Sequence, residues 1–297
     1  MLVICGPTAA GKTAIALRLA EETPSLVVSA DSRQVYRGFD VGTAKPTREE
    51  LAGVPHRGID VANPTSRYTA ALWAQRADAW IAEAIAEGRR PIVVGGTGLY
   101  VRALFEGLFE EPPLDVERRR RLEAIIGALP VDELRRWAMQ LDPGRAHLGR
   151  TQLLRSIEIA LLTGRRLSEL HRERPRSTRW RPRYLVVDPG PALADRIGAR
   201  IDEMLDHGWP DEVRRLMQTI PADAPAWNAT GYDVVRRLVR GELTRDAARN
   251  QILIDTRQYA KRQRTWFRHQ LPEGSVTRVN PLTDGWRAIV REWSRPK

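Results

Sequence analysis

The residues that most constrain the fold lie near the start of the chain, where a short apolar run leads into Gly6-Pro7-Thr8-Ala9-Ala10-Gly11-Lys12-Thr13. Their spacing fits the pattern G-x-x-x-x-G-K-S/T, whose glycines allow backbone conformations that are closed to other residues. Successive N–H groups then point at phosphate oxygens, helped by the N-terminus of the following helix. A strand before the pattern and helical spacing after it indicate a phosphate-binding loop rather than a Gly-rich turn that merely joins two elements.

The rest of the chain alternates between two kinds of pattern. Helical spacing is clearest over 13–22 and 69–87, and Gly88 ends the second of these stretches. Continuous apolar runs, as buried parallel strands show, occur at 1–5, 26–29, 91–94 and 184–187. Strands that alternate with helices predict an α/β fold, a core with a parallel sheet and helices on both faces.

This alternation stops near Glu111-Pro112-Pro113. From 115 to about 176 only helical periods occur, with turn signals such as Pro130 and Gly164. We therefore predict a helical insertion domain over 111–180 and a core made of 1–110 and 181–297. Within the second part of the core, helices are expected near 192–207, 210–218, 231–239 and 244–268.

Charge is distributed unevenly along the chain. The formal net charge is +11, and residues 101–297 hold 37 Lys+Arg against 27 Asp+Glu, a net of +10. A basic second part favours a polyanionic partner such as nucleic acid. An arginine-rich proteome is the alternative explanation.

Cysteine content and hydropathy exclude several classes of protein. The single cysteine, Cys5, leaves no disulfide framework and no CxxC metal site. We expect no membrane span, because no apolar stretch approaches the necessary length, and no signal peptide fits the start of the chain. The default expectation is a monomer in the cytoplasm.

The loop alone does not identify its ligand. A nucleoside triphosphatase usually places an acid at the end of a later strand to hold Mg²⁺, but the run at 91–94 ends in Gly95-Gly96. The nearby acid is Asp31, after the second strand. Its carboxylate is suited to hold a metal, to act as a general base, or to cap a turn, and periodicity does not choose among these roles.

Further patches complete a pattern. They are Asp31-Ser32-Arg33-Gln34-Val35-Tyr36, Gly42-Thr43-Ala44-Lys45-Pro46, Pro55-His56-Arg57, Gly95-Gly96-Thr97-Gly98-Leu99-Tyr100 and Lys261-Arg262-Gln263-Arg264-Thr265-Trp266-Phe267-Arg268. With these patches in order from Gly6 to Arg268, the chain closely resembles the bacterial tRNA dimethylallyltransferases, also called tRNA isopentenyltransferases. The resemblance implies a P-loop-containing core with an inserted helical domain.

The resemblance also implies a reaction. A dimethylallyl group passes from dimethylallyl diphosphate to N6 of adenosine 37 in the tRNA anticodon loop, and diphosphate leaves with the help of Mg²⁺. By this resemblance Asp31 is the general base, Thr97 lies between acceptor and donor, and Arg214 reaches the diphosphate. The loop Gly6–Thr13 binds the donor, and the Thr13 hydroxyl is suited to Mg²⁺.

The same resemblance assigns contacts to tRNA. The helical insertion contacts the anticodon stem-loop, and Asp31 and Thr97 lie near the target base. The remaining assigned residues are Ser32, Arg33, Gln34, Arg119, Thr151, Gln152, Leu153, Leu154, Arg155, Lys261, Arg262 and Arg264. For Arg119 a solvated helix face is an equal alternative, because it lies in a run of four arginines. For Trp266-Phe267 we favour core packing over base stacking.

This chain departs from the family pattern at a few positions. Gln152 stands where a basic residue is common, and Thr230 and Gly58 replace usual hydrophobic residues. Ala9-Ala10 lacks a hydroxyl that the family usually has in the loop. None of these differences removes an implied catalytic residue.

Three other functions fit parts of the sequence. A P-loop kinase of a nucleotide or small metabolite explains the loop, but not the basic C-terminal helix. A prenyltransferase that acts on free adenine nucleotides shares the chemistry, but needs no long tRNA surface. A non-catalytic RNA-binding protein would not need Lys12, Asp31 and Thr97.

Overall fold

The computed structural model describes residues 1–107, 114–173 and 179–295. The chain divides into two compact units, Met1–Phe105 with Arg179–Lys297 and Glu106–Thr178. The second unit and the predicted insertion, 111–180, share most of their length. The segment Glu111-Pro112-Pro113, on which the predicted boundary rests, lies outside the described residues.

The first unit contains one sheet, whose strands in the described residues are β1 Leu2–Cys5, β2 Ser25–Ser29, β3 His56–Arg57, β4 Arg90–Gly95, β5 Arg183–Val187 and β6 Val276–Val279. All pairs are parallel, in the order β3-β2-β4-β1-β5-β6. The four strands that the apolar runs predict are present. The two edge strands were not predicted, because β3 is only two residues long and β6 is not a continuous apolar run.

Helices surround this sheet. In the first unit they are α1 Lys12–Glu22, α2 Arg48–Gly53, α3 Ala70–Ala86, α4 Gly98–Phe105, α9 Leu193–Asp206, α10 Trp209–Thr219, α11 Tyr232–Val239, α12 Arg245–His269 and α13 Trp286–Ser294. In the second unit they are α5 Val116–Ile126, α6 Val131–Leu141, α7 Arg150–Thr163 and α8 Leu167–Glu173. Short 3₁₀ helices occupy Pro143–Arg145, Gly190–Ala192, Pro225–Asn228 and Glu273–Ser275.

Helices cover both faces of the sheet, which confirms the predicted fold class. Ile4 and Leu185 belong to a buried cluster that α1 and α13 complete. On the opposite face, Tyr184 packs edge-on against Phe105 of α4, with 6.1 Å between ring centroids. Both faces of the central strands are therefore removed from water, which explains why these strands read as unbroken apolar runs.

The register of the central strands brings three loops to one edge of the sheet. Cys5 of β1 pairs with Gly95 of β4, and Ser29 of β2 pairs with Val94. Because the strands are parallel, the segments that follow β1, β2 and β4 all leave at this edge. The phosphate-binding loop, Asp31 and Thr97 lie in these segments.

The second unit has a core of its own. Ile126 of α5, Leu134 and Ala138 of α6, and Leu153 and Ile157 of α7 form a buried cluster. The spacing is four residues in both α6 and α7, so each of these two helices presents one apolar face to the core. No helix in the described part of the chain is long and apolar enough to cross a lipid bilayer.

Candidate active site

The phosphate-binding loop has a shape that only small residues permit. Gly6 has φ 140°, and a Cβ atom at this position would lie 2.2 Å from the carbonyl oxygen of Val187. Gly11 has φ 93° and precedes the first residue of α1. The backbone therefore turns directly from β1 into a helix N-terminus, where unpaired N–H groups attract anions.

Lys12 is the first residue of α1, and its side chain reaches back over this loop. Its Nζ donates a hydrogen bond to the carbonyl oxygen of Pro7 at 2.7 Å. Burial lowers the pKa of Lys12 to about 8, although the negative charge of Asp31 acts in the opposite direction. A bound diphosphate would favour the charged form of this amine.

Two arginines of α9 reach the loop, and the sequence interpretation did not include them. Arg196 donates from Nε to the carbonyl oxygen of Ala9 at 2.8 Å, and Arg200 donates from Nη1 to Oγ1 of Thr8 at 3.4 Å. Burial lowers the pKa of Arg200. Their spacing of four residues on one helix is a sequence signal for a shared face, but it does not reveal which loop that face meets.

Asp31 and Thr97 lie side by side at the same edge of the sheet. Asp31 Oδ1 accepts hydrogen bonds from the N–H groups of Arg33, at 2.8 Å, and Gln34, at 3.4 Å, so the residue does cap a turn. Its Oδ2 makes no hydrogen bond within the described residues. Thr97 Oγ1 accepts a bond from the Ser32 N–H at 3.0 Å, and its own N–H donates to Ala30 O at 3.1 Å. One carboxylate oxygen is thus used by the fold and the other remains available to a ligand.

Gln263 of α12 joins two of the three loops. Its Oε1 accepts a hydrogen bond from the Thr8 N–H at 2.9 Å, and its Nε2 donates to the carbonyl oxygen of Gly96 at 2.9 Å. The side chain is buried, and a Cβ on Gly96 would lie 2.3 Å from its Nε2. The sequence interpretation placed this residue only within a basic patch, yet it sets the position of the phosphate-binding loop against the Thr97 turn.

Two cavities meet at this edge, and they share Thr8, Asp31, Thr43 and Arg200. The first, the loop cavity, adds the polar residues Lys12, Thr13, Ser29, Gln34, His56 and Gln263, together with apolar residues such as Val27 and Val94. The second, the α9–α12 cavity, lies between those two helices. Its wall has a group of apolar residues, Ile197, Ile201, Met204, Trp209, Ala229 and Ile252, beside polar ones such as Arg33 and Tyr259. An anionic group and an apolar chain on one ligand would therefore find separate compartments that meet beside Asp31.

Residues 34–270 match the family described as IPP transferase. The chain belongs to this family. It is 41% identical to a tRNA dimethylallyltransferase of Thermosynechococcus vestitus, over 90% of this chain and 86% of the relative, and 41% identical to one of Thermomicrobium roseum, over 98% and 89%. A crystal structure of the full-length tRNA isopentenylpyrophosphate transferase from Bacillus halodurans superposes with a TM-score of 0.70 and 33% identity, and the match covers 98% of this chain and 93% of that one. The chain is accordingly a transferase.

The resemblance predicts that Arg214 reaches the diphosphate, and this assignment stays a prediction. Arg214 lies on the exposed side of α10, forms an ion pair with Asp211, and lines neither cavity. The buried face of α10 instead carries Glu212, which accepts bonds from the N–H groups of Asp40 and Val41 and from the Tyr232 hydroxyl. Arg200, by contrast, lies beside the loop and donates to Oγ1 of Thr8.

Gln34, which the resemblance places near the target base, is held by hydrogen bonds within the protein. Its Oε1 accepts a hydrogen bond from Ser29 Oγ at 3.0 Å, and its Nε2 donates to the carbonyl oxygens of Thr43, at 3.3 Å, and Ala44, at 3.0 Å. The amide therefore holds the segment that follows Gly42. Ser32 and Arg33 are half-buried, and Arg33 lines the α9–α12 cavity with Asp31.

The basic residues of α12 fall into two groups. Lys261 and Arg262 are exposed, and Arg262 lies over the Tyr259 ring, 5.9 Å from its centroid. Arg264, which is also predicted to contact tRNA, donates to both carboxylate oxygens of Asp188 and to Gly190 O. Phe267 is buried, in agreement with core packing, whereas Trp266 is half-buried.

In the second unit, the residues of α7 that are predicted to contact tRNA point to different sides of the helix. Thr151 is exposed, and Gln152 accepts a hydrogen bond from the Gly149 N–H, which caps the helix. Leu153 is fully buried in the core, and Leu154 packs partly against the same core. Arg119 and Arg155 both pair with the buried carboxylate of Glu158.

Proposed function

We propose that this protein transfers a dimethylallyl group from dimethylallyl diphosphate to N6 of adenosine 37 in the anticodon loop of tRNAs. The observation that carries the proposal is the meeting of the two cavities beside Asp31. A diphosphate in the loop cavity directs its alkyl chain away from Lys12 and towards apolar walls. The carbon that is attacked then lies within reach of a nucleophile at Asp31.

The leaving group is stabilised by groups that carry or attract positive charge. The N–H groups of the loop, Lys12 and Arg200 surround the place where charge develops as the carbon–oxygen bond breaks. Burial strengthens these interactions because little water competes with them. We propose that Arg200 acts on the diphosphate directly and that Arg196 supports the loop from the Ala9 carbonyl.

The nucleophile is an aromatic amine, which is weak because its lone pair is delocalised. Asp31 Oδ2 accepts a proton from N6 as the nitrogen–carbon bond forms, while Oδ1 stays anchored to the turn. The Thr97 hydroxyl lies next to this pair and orients the reacting groups. Diphosphate and the modified tRNA are then released.

Mg²⁺ fits this site as a partner of the diphosphate. The described residues hold no cluster of three or more His, Cys, Asp or Glu side chains, so they form no protein cage for a metal. Mg²⁺ commonly binds through one or two protein oxygens together with substrate phosphates, and the Thr13 hydroxyl is exposed in the loop cavity. When bound there, the ion would neutralise charge on the leaving group.

Recognition of tRNA is assigned to basic, exposed residues. Adenosine 37 must leave the anticodon stack to reach Asp31, at a cost of a few kcal/mol in a single-stranded loop. Lys261 and Arg262 are exposed and can meet phosphates, and Thr151 and Gln152 are the exposed members of the α7 group. We propose that the helical unit, Glu106–Thr178, contacts the anticodon stem-loop.

A single assay separates this proposal from its rivals. Purified protein with Mg²⁺ is given labelled dimethylallyl diphosphate and, in parallel, tRNA or AMP. We expect label on tRNA. Label on AMP but not on tRNA would support the nucleotide prenyltransferase, and consumption of ATP without prenyl transfer would support the kinase.

A further inference from the structure

Leu99 is a large apolar residue that the first turn of α4 leaves exposed. Its relative exposure is 52%, whereas the next two residues, Tyr100 and Val101, are buried. Single exposed leucines are common on protein surfaces. This one needs an explanation because of its place, two residues after Thr97, whose hydroxyl lies beside the Asp31 turn.

The turn that carries Leu99 is held from both sides. The residue after it, Tyr100, stacks on Trp73 of α3, with 4.7 Å between ring centroids. The residue before it, Gly98, packs against Trp266 of α12, since a Cβ at Gly98 would lie 2.3 Å from the indole ring. The backbone at Leu99 is therefore fixed before any partner arrives, and a contact made by this side chain costs little conformational entropy.

Leu99 lies on the side of the site that a donor leaves open. The phosphate-binding loop leads into α1, which packs on one face of the sheet, and α4 packs on the opposite face. With a donor in the loop cavity, an acceptor would reach Thr97 from the α4 side. Positive charge is also available there, because Arg262 is exposed one helical turn before Trp266 on α12.

An adenosine that leaves the anticodon stack exposes the faces of the two bases next to it, and this makes extrusion unfavourable. Proteins that unstack bases frequently insert an apolar side chain, such as leucine, phenylalanine or methionine, into the gap. A side chain with this role must be apolar, exposed in the free protein and rigidly mounted. Leu99 has all three properties.

We propose that Leu99 packs between the bases on either side of adenosine 37 once that base has turned into the site. This inference rests on the proposed transfer to tRNA. Leu99 is then a positioning residue, which touches neither the donor nor N6. It stabilises the loop conformation in which N6 reaches Asp31, through burial of its apolar surface against the neighbouring bases.

The first test compares prenyl transfer to tRNA by the wild type, Leu99→Ala, Leu99→Asn and Leu99→Met. We expect kcat/KM to fall about 10- to 100-fold in the alanine and asparagine variants, as loss of one buried leucine side chain does. Methionine is apolar and of similar size, so Leu99→Met should stay within about threefold of the wild type. Affinity for inorganic diphosphate should not change in any variant, because Leu99 does not touch the donor.

Ile85→Ala is the matched control. Ile85 is 49% exposed and lies near the end of α3, at the edge of the sheet where β4 begins. This edge is opposite to the one that carries the site. The kcat/KM of the control should therefore equal that of the wild type.

A second measurement follows the base itself. An anticodon stem-loop carries 2-aminopurine in place of adenosine 37; this base has no amino group at C6, so it binds without reacting, and its fluorescence changes when it leaves the stack. At saturating protein we expect the full change with the wild type and Leu99→Met, and a smaller change with Leu99→Ala and Leu99→Asn. A purely structural role would not alter this signal in variants that melt at the wild-type temperature.

Two results would overturn the inference. One is a Leu99→Asn protein with the kcat/KM of the wild type, because apolar surface would then not matter. The other is a Leu99→Ala protein that raises only the KM for tRNA and gives the full fluorescence change, because Leu99 would then contact RNA without filling the gap. If the fluorescence follows the expectation but no prenyl group reaches tRNA, the proposed function fails and the contact of Leu99 with the bases stands.

Discussion

Replacement of Gln263 by leucine removes both hydrogen bonds between α12 and the loops of the site while it keeps a side chain of similar size. The Thr8 N–H and the Gly96 carbonyl would then face an apolar group in a buried place. Each unsatisfied group costs about 1–3 kcal/mol. The free energy of unfolding should therefore fall by roughly 2–6 kcal/mol if neither group finds water, and by less if the loop shifts to expose them.

The loop shift has a consequence for catalysis. The Thr8 peptide belongs to the phosphate-binding loop, so its rotation moves N–H groups away from the leaving group. A loss of about 3 kcal/mol in transition-state stabilisation corresponds to a fall in kcat/KM of about 10²-fold. The affinity for inorganic diphosphate should fall as well, because the same N–H groups bind the product.

The assay is prenyl transfer to tRNA at a temperature where circular dichroism shows the variant to be folded. Gln258→Leu is the matched control, because Gln258 is exposed on the same helix; its kcat/KM should stay within twofold of the wild type. A Gln263→Leu protein that loses stability but keeps wild-type kcat/KM and diphosphate affinity would refute the positioning role.

Four further outcomes test the site. Asp31→Asn should lower kcat by about 10²- to 10⁴-fold, which is the usual contribution of a general base. The affinity for tRNA, measured by filter binding, should change less than threefold. A near-normal kcat would show that Asp31 is not the general base. Burial lowers the pKa of Lys12 to about 8, and bound diphosphate favours the ammonium form. Donor affinity should therefore be constant below pH 8 and should fall above it, by a factor that approaches ten for each pH unit. Calorimetry that shows equal affinity at pH 7 and 9.5 would contradict this. Arg200→Ala should weaken diphosphate binding at least tenfold and Arg214→Ala less than twofold, and the reverse order would restore the original assignment. Affinity for tRNA should fall steeply with salt, and Lys261→Ala should reduce the slope of log K against log salt by about 0.7–0.9, whereas an unchanged slope would place Lys261 away from phosphate.

Much of the fold follows from residues that are adjacent in the sequence. The path from β1 through Gly6 and Gly11 into α1 depends on backbone freedom at two glycines and on local helical spacing, and both are visible in eight consecutive residues. The buried strands can also be predicted from the sequence. Because helices cover both faces of the sheet, these strands are continuous apolar runs and do not alternate between apolar and polar residues. The position of Asp31 at the edge of the sheet follows from the parallel order of strands.

The partners of the loop come from segments that only tertiary packing brings near. Gln263 lies 255 residues from Thr8, and Arg200 lies 192 residues from it. The sequence shows that α9, α10 and α12 are helices, but the crossing of each helix over the sheet decides whether Arg200 or Arg214 meets the diphosphate. Leu153 makes the same point in the second unit, where the rotation of α7 places it in the core.

The sequence by itself thus determined the strand–loop–helix that holds phosphate and the carboxylate beside it, since local backbone preferences and strand order suffice for both. Only the tertiary structure decided which distant side chains complete the site, because contacts between helices depend on the packing of whole faces.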